Sequence, residues 1–146
     1  LYFNDKERSS ALLSISSILN MLLPDSQPNQ NIYKSFEKFL NSIKLDKWVI
    51  LYIFLELSLI KDLGYDPNLE QFKKNKSESE FQKIKIDTII YDVPLYLIQN
   101  KIPDSLSKNL IKTSLNFTRS IIQNRFFLPN NLHFPKSRIL MENYYT

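Results

Sequence analysis

The sequence predicts an all-α fold: a helical bundle closed around one buried helix, with a small irregular subdomain at about 69–103, all within a single domain spanning 1–146. Three observations predict it. Apolar residues recur at helical spacing in four long segments, proline and polar runs punctuate the gaps between them, and the stretch "WVILYIFLELSLI" (48–60) is apolar around most of its circumference. A helix that is apolar all round is a buried one.

The first segment, about 5–23, carries Leu12, Ile15, Leu19 and Leu22 on one face, with Asn4 or Asp5 as its cap and Pro24 as its stop. After the polar loop "PDSQPNQN", Asn31 is expected to cap a second helix whose stripe is Ile32, Phe36, Phe39, Leu40 and Ile43. Asp46 is the expected cap of the third, central helix, from Lys47 to about Leu63. Gly64, the only glycine in the chain, then falls where a helix commonly ends in the left-handed region, and Pro67 prevents continuation.

From Lys73 to Lys85 the text turns to "KKNKSESEFQKIK", which reads as a charged surface loop. The β-branched stretch "IKIDTIIYDVPLYLI" (84–98) allows a short strand, although Pro94 argues against a central one. A fourth helix follows, capped by Asp104 or Ser105, with Leu110, Ser114, Phe117 and Ile121 on its apolar face and an end near Phe127. Pro135 opens a short final helix.

Composition narrows the chemistry. A length of 146 residues with 43% hydrophobic and 23% charged content suits one globular domain. The chain opens on Leu1, not Met, and reads as a fragment. There is no cysteine and one histidine, His133, so thiolate metal sites and cysteine nucleophiles are excluded. No phosphate-binding loop, dinucleotide motif or nucleophile elbow is present, and a hydrolase built on His133 lacks a matching constellation. The expectation is a non-enzyme without cofactor or metal. The 13-residue apolar run contains Glu56 and falls short of the roughly 20 residues of a membrane span; the expected location is cytoplasmic.

The net charge of +4 suits an anionic partner. Lys108, Lys112 and Arg119 fall at i, i+4 and i+11 of the fourth helix, in one narrow stripe; Arg125 extends it and Arg138 begins the last helix. These five are the candidate contacts to phosphates or to an acidic peptide, although an ordinary solvated face would show the same spacing. The pairs Phe126–Phe127 and Tyr144–Tyr145 could stack bases or pack the bundle.

With the helices placed, "FLELSLIKDLGYDPNL" resembles the RecO family of bacterial DNA repair proteins. In that family a helix of the form F-E-L-x-L-L-x-x-L-G-Y-x-P-x-L closes on its Gly-Tyr. Glu56, Leu57, Leu59, Leu63, Gly64, Tyr65, Pro67 and Leu69 supply the pattern, and Leu55 stands in for the aromatic. The opening "LYFNDKERSSALLSISSILNMLLPDSQPN" is similar to the family's first C-terminal helix and turn. The end is similar to its last helices, with Pro135 and Arg138 in a P-x-x-R pattern. Many members carry a CxxC…CxxC zinc site after the Gly-Tyr turn; Phe72 and Asn75 stand at its first pair here, so the resemblance implies a zinc-less remnant of that subdomain. The family's N-terminal OB-fold is missing from this chain. What the resemblance implies is a nucleoid-associated recombination mediator that binds single- and double-stranded DNA. Its implied protein partners are RecR, single-stranded DNA-binding protein and, indirectly, RecA, with no covalent chemistry.

Overall fold

The computed structural model describes residues 5–23, 29–74 and 79–146. Its helices are α1 (Lys6–Leu22), α2 (Gln30–Ser42), α3 (Trp48–Asp62), α4 (Leu95–Gln99), α5 (Lys108–Ile122) and α6 (Lys136–Asn143). Strands β1 (Phe81–Ile86) and β2 (Ile89–Pro94) form an antiparallel hairpin between α3 and α4.

Capping sets the helix starts. The Asp5 carboxylate accepts from the Arg8 N–H and opens α1. Asn29 does the same for α2 through the Ile32 N–H, so that helix begins ahead of the expected Asn31. Ser107, not Asp104 or Ser105, caps α5 through the Leu110 N–H. Asp46 does not cap α3: Lys47 holds that position without a side-chain hydrogen bond, and its ammonium instead donates to the Pro103 and Asp104 carbonyls.

The α3 terminus follows the expectation for Gly64. The Tyr65 N–H bonds to the Ile60 carbonyl and the Gly64 N–H to that of Lys61, the paired bonds of a Schellman end. Gly64 has φ +102, and an added Cβ would meet nothing within 4 Å. Glycine is therefore required here for backbone conformation and not for space. Elsewhere, among the described residues, Asn68, Asp87, Asn100 and Asn131 occupy positive φ, so asparagine and aspartate do the turning that glycine does in most chains.

α3 is the axis of the core: Ile50, Tyr52, Ile53, Leu59 and Ile60 are all fully buried. α2 and α5 pack against it, while α1 packs against α6. Arg8 bolts the start of α1 to the α2–α3 turn, donating to the Ile43 carbonyl at 2.6 Å and lying over the Trp48 ring. Phe127 is buried against Phe134, and Tyr145 is buried too, so part of each aromatic pair packs the bundle.

The hairpin overturns the all-α expectation. Lys83 and Lys85 alternate with Ile84 and Ile86, a period-two pattern that the high charge of 73–85 obscured. Residues 75–78 of that expected loop lie outside the described residues, but 81–85 are strand. Pro94 is no obstacle because it is the last residue of β2, paired with Phe81, where a missing N–H costs the ladder nothing. On the inner face Ile84 and Val93 are buried, and Tyr91 packs edge-on against Phe117 of α5 at 5.5 Å. On the outer face Lys83 pairs with Asp92 at 3.2 Å. The domain is a helical bundle carrying a two-stranded sheet.

Candidate nucleic-acid interface

The predicted cations separate into three environments. Lys108 and Lys112 stand exposed on successive turns at the start of α5 and form no ion pair among the described residues. The N-terminal end of the helix adds its own partial positive charge to theirs. Arg119, in the same stripe, is half-buried and engaged: its Nε lies 2.9 Å from a Glu142 carboxylate oxygen and its Nη2 donates to Asn116. Arg125 is exposed but held. It pairs with Asp87 at the hairpin tip and lies over the Tyr65 ring, 4.1 Å from its centroid.

Arg138 does not belong to the interface. It is fully buried, and its guanidinium grips Glu56, 82 residues earlier, through Nε to Oε2 at 2.7 Å and Nη2 to Oε1 at 3.1 Å. The same Nη2 donates to the Leu115 carbonyl, and Nη1 reaches Glu142 at 3.1 Å. The assignment of Arg138 as a phosphate contact is therefore corrected: a guanidinium shut off from solvent and held on all three nitrogens by internal acceptors cannot meet a ligand.

The Glu56 carboxylate also accepts from the Tyr52 hydroxyl at 2.7 Å and the Thr118 hydroxyl at 2.6 Å. With both Arg138 bonds, this fills the roughly four acceptor positions that a carboxylate offers. Because Tyr52 spends its proton on Glu56, Ser14 must donate to Tyr52, at 2.7 Å. Burial alone would lower the Arg138 pKa, but the charge and hydrogen bonds of Glu56, together with Tyr52 and Glu142, outweigh it in sum and carry it above its ordinary value. Burial, then the neighbouring Glu56 charge, pushes the Tyr52 hydroxyl well above the tyrosine range. The glutamate of the F-E-L motif and the arginine of P-x-x-R are thus the two halves of one internal bond.

Sequence reading missed Asp87, whose only signal was its place between two isoleucine pairs. Glu56 stands out in the sequence as an interruption of an apolar run and as the glutamate of the F-E-L pattern, but neither signal assigns it a partner. A carboxylate there predicts a buried cation somewhere in the chain.

Beyond the cations, an open groove of about 410 Å³ runs between α2, α3 and the segment after α4. Phe39, Leu51, Phe54 and Leu55 line it, Lys38 stands at its rim, and the half-exposed Ile102 closes one side. His133 is exposed in the turn before α6. No group of three or more metal-ligating side chains occurs among the described residues, and no helix among them is long and apolar enough to cross a membrane. Phe72 is half-buried at the end of a short 3-10 turn, and Asn75 lies outside the described residues.

Comparison with known proteins gives the chain's relatives and its family. The chain is similar to a protein named DNA repair protein RecO from Wolbachia sp. subsp. Drosophila simulans (strain wRi), 27% identical over 163 aligned positions that cover 96% of this chain and 66% of that protein. The Ehrlichia chaffeensis protein of the same name is 26% identical, over 89% of this chain and 61% of its own. That from Anaplasma marginale (strain Florida) is 30% identical over 53% and 33%. The chain spans just under two-thirds of the length of the first of these relatives. No solved structure matches. The family described as Recombination protein O C terminal matches residues 4–81, more than half of the chain, and the chain belongs to that family.

Proposed function

We propose that this chain is the C-terminal helical part of a recombination mediator, one that holds DNA and recombination partners through non-covalent contacts and performs no covalent step. Family membership and the DNA repair proteins it resembles support this reading. Within the fold, the observation that carries it is the pair Lys108 and Lys112, exposed at the positive end of α5 without an internal counter-ion among the described residues. Two such lysines can neutralise phosphates without recognising sequence, which is what strand annealing and RecA loading ask of a mediator. RecR and single-stranded DNA-binding protein are the protein partners this role requires.

The test is fluorescence anisotropy of a labelled single-stranded oligonucleotide at low and moderate salt. Binding should weaken with salt, and replacing one lysine, as in Lys108→Gln, should weaken it across sequences and lower the salt slope by about 1. Equal slopes for wild type and variant would remove α5 from the interface.

The groove beside Phe54 supports a second reading, in which the domain docks the acidic tail of single-stranded DNA-binding protein without touching DNA. Binding of a short acidic-aromatic peptide, with none of the oligonucleotide, would favour it.

A further inference from the structure

Three irregular points of the chain meet at one place on the surface. Tyr65 follows the Gly64 turn, Asp87 sits at the hairpin tip with φ +54, and Arg125 lies in a π-helical turn, Gln123–Phe127. That turn is closed by the Leu128 N–H on the Gln123 carbonyl. It inserts a residue into the helical register and re-aims the side chains it carries. The Tyr65 hydroxyl donates to Asp87 at 2.9 Å, and the Arg125 guanidinium pairs with the same Asp87 oxygen while resting on the Tyr65 ring.

A guanidinium laid on an aromatic ring keeps its N–H fork free for an anion. Here a carboxylate fills that fork, and a phosphodiester oxygen makes the same demand of it. Both partners are open to solvent: the Arg125 side chain is 40% exposed and that of Asp87 57%. An exposed pair of this kind adds little net stability and exchanges readily. The hairpin does not depend on it, because Ile84 and Val93 are buried and Tyr91 is stacked on Phe117. Asp87 can therefore leave Arg125 while the inner face of the hairpin stays packed.

We propose that Asp87 is an intramolecular competitor for an anion site on Arg125, and that a nucleic-acid phosphate engages Arg125 only by displacing the hairpin tip. The inference rests on reading the domain as a DNA binder and adds regulation to it: affinity is held down by a carboxylate of the protein itself.

The experiment compares oligonucleotide binding by wild type, Asp87→Asn, Arg125→Gln and the double variant at low salt. Asparagine tolerates the positive φ of position 87, so Asp87→Asn removes charge and keeps the turn. The expected result is binding about 3- to 10-fold tighter for Asp87→Asn, with a salt slope steeper by about 1, and a gain that vanishes when Arg125→Gln is added. Tyr65→Phe, which keeps the ring but releases Asp87 from its hydroxyl bond, should give a smaller gain in the same direction. If wild type binds and neither Asp87→Asn nor Tyr65→Phe binds more tightly, the competitor is overturned and the DNA reading stands. If neither wild type nor Asp87→Asn binds, both fall. A gain that survives Arg125→Gln also overturns the proposal, because it then reflects net charge alone.

Discussion

Glu56, Arg138 and Tyr52 in the core, and Asp87, Arg125 and Tyr65 at the surface, are the same three chemical groups: a carboxylate, a guanidinium that pairs with it, and a phenol that donates to it. They differ in access to water. In the core no atom of the pair reaches solvent, every acceptor position of Glu56 is filled, and two further helices contribute Thr118 and Ser14. At the surface the pair shares its charge with water, and the aromatic ring supplies a platform where the core supplies hydrogen bonds. Burial turns one trio into a structural joint; exposure leaves the other exchangeable. The lesson is that an arginine in a helix says nothing about function until its surroundings are known.

The sharpest way to break this comparison is Arg138→Met. It leaves Glu56 buried without a counter-ion and should destabilise the domain by about 3–5 kcal/mol in urea unfolding. Adding Glu56→Met should restore most of the loss, since an apolar pair of similar volume fills the same site. A single-variant loss under about 1 kcal/mol would mean that water reaches Glu56, and the contrast between the two trios would collapse.

Tyr52→Phe tests the phenol of the core trio. It removes one donor from Glu56 and one acceptor from Ser14, and should cost about 1–3 kcal/mol by thermal or urea unfolding. Its surface counterpart is Asp87→Asn, for which the change should stay within about 1 kcal/mol. Similar losses at both sites would show that the hairpin tip is a structural joint as well.

Alkaline pH sharpens the contrast further. Burial raises the hydroxyls of Tyr52 and of Tyr96, which donates to Ser114, above their unfolded values near 10. Above that pH the unfolded chain loses protons that the native state keeps. The stability these groups contribute is therefore whole below about pH 10 and falls as pH rises, by up to about 1.4 kcal/mol per unit for each tyrosine. Unfolding midpoints followed from pH 9 to pH 11 should decline, and the decline should be shallower in Tyr52→Phe.

Much of the bundle was legible in the residues. The stripe of Ile32, Phe39 and Ile43, the all-round apolarity of α3 and the turn at Gly64 are local signals, readable wherever helical periodicity or a left-handed backbone leaves one. The β-branched stretch 84–98 allows the short strand that β2 turns out to be, but most of β1 was hidden because lysine alternation resembles a solvated loop until a sheet gives it two faces. Of the cations, the stripe of Lys108, Lys112 and Arg119 is real as geometry, but spacing could not reveal that Glu142 already holds Arg119 or that Glu56 holds Arg138. Those partners lie 23 and 82 residues away, beyond any local rule.

The 82-residue separation of Glu56 and Arg138 has a consequence for the order in which the domain is made. Closing a loop of that length costs roughly 4 kcal/mol of chain entropy before any bond rewards it. Until α6 arrives, α3 carries a carboxylate with no cation to meet it, so α1, α2 and α3 cannot seal their own core as an independent unit. Maturation of the core is tied to the late segment, as a vault is tied to its keystone. The chain should therefore fold in one cooperative event, leaving no stable half-built domain behind.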